Sequence, residues 1–255
     1  MNKFLMRRYK GFTLVEMAIV LVILGFVLGA LLLPLQAQRE QAFQAQTEAT
    51  LENARQALLG FAQAQGRLPC PATNNGTATF PDDTGTANPI GSGACIRQVG
   101  FLPAATLGVQ PADTQGFALD GWNNRIRYAV TQINTAGGAA TPDFTTSNEM
   151  ANVGIATLVP NLRVCGTSTA ANCTATINLT NNATVVIYSL GATGSQAVGG
   201  ADETENLNAV ASVDTIYVSH DATAVSAPNG EFDHIVTWIS PFVLYNAMIQ
   251  AGQLH

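Results

Sequence analysis

One glutamate, four cysteines, three histidines and two short acidic groups are the residues of this chain whose types and spacing could do chemistry. Glu16 is the sole charged side chain between Phe12 and Gln38, within an otherwise apolar run that ends near Leu35. An ionised carboxylate in hydrocarbon costs several kcal/mol and is retained only when a counter-ion neutralises it. The first basic residue after it is Arg39, so the partner must come from another molecule. Cys70, Cys95, Cys165 and Cys173 all follow the apolar run. Four cysteines allow three pairings, and sequence does not choose among them. The local pairs Cys70–Cys95 and Cys165–Cys173 are favoured, because each closes a loop in turn-rich, apolar-poor sequence. A zinc site is disfavoured: no spacing is Cys-x-x-Cys, and His220, His234 and His255 do not fall at ligand intervals.

Catalysis finds no constellation. The chain has no Gly-x-Ser-x-Gly elbow, no phosphate loop and no His-Glu-x-x-His. Asp82 and Asp83 are adjacent, and neighbours in an extended chain point to opposite faces, which makes them a poor acid/base pair. Asp202–Glu205 reads as a solvated acidic turn, and His234 beside Asp233 as a strand residue facing solvent. The chain is therefore expected not to be an enzyme.

The elements that carry these residues follow from patterning. With 255 residues, 47% hydrophobic and 11% charged, the chain is too apolar for disorder and too polar for a many-span membrane protein. One anchored globular domain fits. Lys3, Arg7, Arg8 and Lys10 precede the apolar run, and beyond them seven arginines face 17 acids. That surplus of acid disfavours nucleic acid as a partner. At about 1.5 Å per residue, some 20 apolar residues span a hydrocarbon core of about 30 Å. Residues 12–35 are thus expected to form a single membrane helix, with its basic flank in the cytoplasm and the remainder outside the inner membrane. Pro34 either kinks that helix or marks its exit.

Beyond Pro34, Phe43, Leu51, Ala54, Leu58 and Phe61 recur at helical intervals, predicting an amphipathic helix to about Gln65 that Gly66 stops. Five β-branched runs then read as strands: 126–130, 153–159, 185–189, 213–218 and 235–239. Ser240-Pro241 predicts a helix start, with Phe242, Tyr245, Met248 and Ile249 on its buried face. The expected fold class is α+β: a long N-terminal spine helix packed on an antiparallel sheet.

The stretch Lys10-Gly11-Phe12-Thr13-Leu14-Val15-Glu16-Met17, placed after a basic leader and at the start of an apolar helix, resembles the processing site of type IV prepilins and type II secretion pseudopilins. The resemblance implies cleavage by prepilin peptidase between Gly11 and Phe12, N-methylation of Phe12, and pairing of the freed ammonium with Glu16 of a neighbouring subunit. It divides the chain into a leader (1–11), an assembly helix (12–35), the amphipathic half of the spine (36–66) and a periplasmic head (67–255). Three patches extend it loosely: Asp120-Gly121-Trp122 through Tyr128, with Asn123 where a glycine is usual; Tyr188-Ser189-Leu190-Gly191-Ala192-Thr193-Gly194; and Asp233 to Trp238.

In major pseudopilins the second and third patches cradle calcium, so the resemblance makes Leu190, Asp202 and Asp233 candidate ligands, with Glu203 and Glu205 near them. Thr193 stands where that family has an aspartate. The expectation is a loop that keeps its shape and binds calcium weakly or not at all. The function implied is that of a structural filament subunit, with prepilin peptidase, other pilin or pseudopilin subunits and the inner membrane as partners. The competing reading is a minor, tip-located pilin acting as adhesin or substrate-binding module, suggested by long loops at residues 71–100 and 140–150.

Overall fold

The computed structural model of the chain describes residues 11–73, 84–135, 141–167, 173, 177–194, 200–207 and 215–254, and for residues 30–35 the backbone alone. Leader residues 1–10, Asp82, Asp83 and His255 lie outside the described residues. The chain falls into two units, Met1–Phe43 and Gln44–His255. One helix, α1 (Leu14–Gln65), runs through the sequence boundary between them and includes Pro34 without ending there.

In the first unit the described side chains from Gly11 to Gly29 are all exposed, among them Leu14, Leu21 and Phe26. Among the described residues no helix is long and apolar enough to cross a membrane. The span expected over 12–35 includes residues 30–35, whose side chains lie outside the described set.

The second unit begins with the amphipathic part of α1. Thr47, Thr50, Leu51, Ala54, Leu58 and Ala62 are buried on one face of it, while Phe61 at its margin is half-buried; Phe43, also half-buried, ends the first unit. Gly66, at φ +65°, closes the helix by donating its N–H to Ala62 O. Then follow β1 (Val99–Phe101), α2 (Ala104–Leu107), β2 (Arg127–Val130), α3 (Glu149–Val153), β3 (Leu162–Cys165), β4 (Asn178–Ala183), β5 (Val185–Ser189), α4 (Ala201–Leu207), β6 (Ile216–Val218), β7 (Ile235–Ile239) and α5 (Pro241–Gln250).

The strands form two sheets, one four-stranded in the order β1-β2-β5-β7 and one three-stranded in the order β4-β3-β6. The first is antiparallel throughout, with Tyr128 opposite Ile187 and Val185 opposite Ile239. Every residue of β5 is buried, because both faces of this sheet are covered. Tyr128, Val130, Val185, Ile187 and Ile239 share a cluster with Leu51, Ala54, Leu58 and Ala62 of α1 and with Leu244, Tyr245 and Met248 of α5. Ala129, Val186 and Tyr188, on the other face, pack with Leu162, Val164 and Tyr217 of the second sheet. Disulfides join Cys70 to Cys95 and Cys165 to Cys173.

Several expectations are corrected. Residues 153–159 are not a strand: Val153 ends α3, Gly154 takes φ +82°, and a turn follows. The strand lies further on, at β3, past Pro160, which has no N–H to give a ladder. β1 and β4 were not legible, β1 because it is three residues long and β4 because its sequence, Asn-Leu-Thr-Asn-Asn-Ala, is polar. The sheets are not wholly antiparallel, since β3 and β6 run parallel, Val164 opposite Tyr217. In α5, Phe242 and Ile249 are exposed, and Leu244 takes the core position with Tyr245 and Met248. Ser240 precedes α5 in extended conformation without a capping side-chain bond, and Pro241 supplies the first-turn geometry. Asp202–Glu205 is not a solvated turn but the body of α4, with Asp202 and Glu203 buried. His234 does not face solvent; it is 4% exposed.

Candidate functional site

The first site is the start of α1. Thr13 and Glu16 close a reciprocal cap: Glu16 N–H donates to Thr13 Oγ1 at 3.3 Å, while Thr13 N–H and Oγ1 donate to Glu16 Oε2 at 2.8 and 2.9 Å. Spacing explains it, because a threonine followed three residues later by glutamate satisfies two first-turn amides at once. Gly11 and Phe12 precede the helix in exposed chain, Phe12 at 84% exposure. These two residues are thus accessible from solvent, and the carboxylate is held by its own helix end.

The second site is a knot where the three sequence patches meet. Asp120, 1% exposed, accepts the N–H groups of Trp122 and Asn124 on Oδ1 at 2.9 and 2.8 Å, and the hydroxyl of Ser189 on Oδ2 at 2.6 Å. Burial pushes the Asp120 carboxyl above its ordinary range, against the pull of these donors. Asn123 sits at φ +65°, a conformation that asparagine tolerates among non-glycine residues. Replacing it with glycine is expected to leave stability within about 0.5 kcal/mol, whereas valine should cost about 1–2 kcal/mol. Thermal melts of the two variants check this.

From this turn Asn124 Nδ2 reaches Gly191 O at 2.7 Å, and Gly191 N–H donates to Ser189 Oγ at 3.0 Å. Gly194 N–H donates to Leu190 O at 3.1 Å. Thr193 N–H and Oγ1 donate to Asp233 Oδ2 and Oδ1 at 2.8 and 3.2 Å, and Asp233 N–H donates to Glu203 Oε1 at 3.0 Å. Gly191, at φ +64°, leaves no room for a Cβ against Asp233.

Of the three candidate calcium ligands, Leu190 and Asp233 meet in this knot. The Asp202 carboxylate turns instead to Thr167 Oγ1, His220 Nε2 and Asn229 Nδ2 at 3.0, 3.2 and 3.1 Å, in the wall of a cavity of about 220 Å³. Glu203, named among the carboxylates near the loop, instead joins Asp233 and His234, the three offering ligand-type atoms within 4.8 Å of one another; the sequence reading did not include His234 among them. Their identity as neighbours depends on α4, which the sequence pattern does not announce.

Glu203 Oε2 and His234 Nε2 are buried without a hydrogen-bond partner. Burial lifts Glu203 to about 7, against the bond from Asp233 N–H and with the charges of Asp233 and Glu231 adding to the rise. Burial lowers His234 to about 4, opposed by Asp233, so the imidazole is neutral near pH 7. The Asn206 amide fixes its tautomer. Oδ1 accepts Val218 N–H at 2.8 Å and Nδ2 donates to Val218 O at 2.9 Å, leaving Nδ2 to donate again to His234 Nδ1 at 3.2 Å. The proton is therefore on Nε2. That protonated nitrogen lies near the carboxylates without bonding to either, and in this tautomer it offers no lone pair to a metal ion.

No curated protein and no solved structure matches the chain. Its N-terminus does find a match: residues 6–32 fit the family model of the prokaryotic N-terminal methylation motif. With Gly11-Phe12 exposed ahead of α1 and Glu16 in its first turn, the chain carries the signature of type IV pilins and pseudopilins, a structural rather than enzymatic family.

Proposed function

We propose that this chain is a structural subunit of a type IV pilus-like filament or a type II secretion pseudopilus. Prepilin peptidase removes the leader between Gly11 and Phe12, Phe12 is N-methylated, and the subunit waits in the bacterial inner membrane with its head in the periplasm. Assembly then packs residues 12–35 of many copies into an apolar core. The observation that carries this reading is the motif at residues 6–32, set on a helix whose apolar side chains, Phe12 to Leu28, are all exposed in the isolated chain. A surface of that kind is tolerated only in lipid or against other copies.

The Glu16 cap gives the exchange a physical course. In the free subunit the carboxylate is held by Thr13. In the filament the methylated ammonium of a neighbour's Phe12 meets it, and the pair sets the register between subunits. Mass spectrometry of the membrane-extracted protein tests the premise. A mature N-terminus at Phe12 bearing one methyl group is expected; an intact leader, or trimming beyond residue 35, would refute the reading.

A second reading, a minor tip-located pilin that acts as adhesin or substrate-binding module, draws support from the Cys70–Cys95 disulfide. That bond joins the chain just after α1 to the chain just ahead of β1, and a loop tied to its scaffold in this way is suited to recognition. Copy number in sheared filaments separates the two: abundant for a main subunit, rare for a tip subunit.

A further inference from the structure

A cation held by a loop of this kind needs six to eight oxygens with lone pairs turned inward. Residues 189–194 offer few. The Leu190 carbonyl accepts from Gly194 N–H and the Gly191 carbonyl from Asn124 Nδ2. Ser189 Oγ is taken up between Gly191 N–H and Asp120. Both Asp233 oxygens already accept donors from Thr193, one from its backbone and one from its hydroxyl. Asp202 points into a different cavity wall. Thr193 is the residue that joins the loop to Asp233.

We propose that Thr193 takes the place of a bound cation in this loop: its N–H and hydroxyl draw Asp233 in, so the knot of Asp120, Ser189, Gly191 and Asp233 closes without calcium. Two neutral donors on one carboxylate do at short range what a divalent ion does for a pair of carboxylates. The loop is thereby indifferent to the calcium concentration outside the cell. An aspartate at 193 would put a second carboxylate against Asp233 and recreate the demand for a cation. This inference concerns the head and stands whichever filament the subunit builds.

The test is thermal unfolding of the full chain in detergent, in EGTA and in millimolar calcium chloride. The unaltered protein is expected to melt at the same temperature in both. Thr193→Asp is expected to melt lower in EGTA and to recover by several degrees in calcium. Thr193→Val, which loses only the hydroxyl bond, should melt about 2–4 °C lower in both conditions alike. A calcium-dependent rise in the unaltered protein would overturn the proposal. So would a Thr193→Asp variant that melts like the parent in EGTA, or one that calcium fails to stabilise.

Discussion

Replacing Glu16 with alanine is expected to leave cleavage after Gly11 intact and to abolish filaments. The proposed cleavage junction, Gly11–Phe12, lies before the first turn of α1, ahead of the residue that is changed. In the proposed filament, assembly depends on the carboxylate's charge. Once the leader is gone, each packed subunit carries a buried ammonium, and removing its partner leaves an uncompensated charge at a cost of about 3–5 kcal/mol. Repeated at every interface, a penalty of about 10²–10⁴-fold per contact stops growth. The lost cap is a lesser matter, about 1 kcal/mol confined to the first turn. Glu16→Gln separates the two effects, since its amide oxygen can still accept from Thr13 while the charge is gone. It should fail as alanine does. Immunoblots of sheared filaments, with the N-terminal mass measured in parallel, provide the check; normal filaments from either variant would remove Glu16 from the assembly role.

The second large effect belongs to Asp120. Asp120→Ala strips three donors of their acceptor, the N–H groups of Trp122 and Asn124 and the hydroxyl of Ser189, at a site that excludes water. Each orphaned donor costs about 1 kcal/mol or more, so a loss of about 3 kcal/mol is expected, on the order of 10 °C in melting temperature. Asp120→Asn should cost about 1 kcal/mol, because an amide oxygen still serves the two N–H groups. The charge itself is not what the site requires: burial raises the Asp120 carboxyl. With its folded value above its unfolded one, Asp120 favours folding most below the unfolded pKa, and that contribution fades as pH rises through the folded pKa. The difference in melting temperature between parent and Asp120→Asn should therefore shrink as pH rises through the folded value. A gap independent of pH would show that Asp120 keeps its charge at no cost.

Local signals in the sequence were read well and distant ones poorly. The stripe Leu51, Ala54 and Leu58 has a strong helical period, and Gly66 ends the helix as a left-handed glycine should. Strands β2, β5 and β7 stood out because they are central or packed on both faces and so carry β-branched runs. β4 was hidden by its asparagines, which suit an edge and mimic a loop. The meeting of Glu203 and Asp233 with a buried His234 was hidden for another reason. Two members are neighbours in the chain, but the third arrives on α4, a seven-residue helix whose acidic sequence looks solvated. Burial of Asp202 and Glu203 is set by partners far off in the chain, Asn229 and Asp233, which no local pattern reveals.

The borders of the three-stranded sheet bear on how many copies of this head can be crowded side by side. On one flank the amide of Asn206 occupies both backbone groups of Val218, as a neighbouring strand would. On the other, β4 presents Asn178, Thr180, Asn181 and Asn182 in place of a flat greasy ribbon. Both flanks thus discourage the zipping together of adjacent molecules that exposed ribbons invite. In the proposed filament, heads at high local density would remain discrete, leaving the apolar N-terminal helices as the means by which copies cohere.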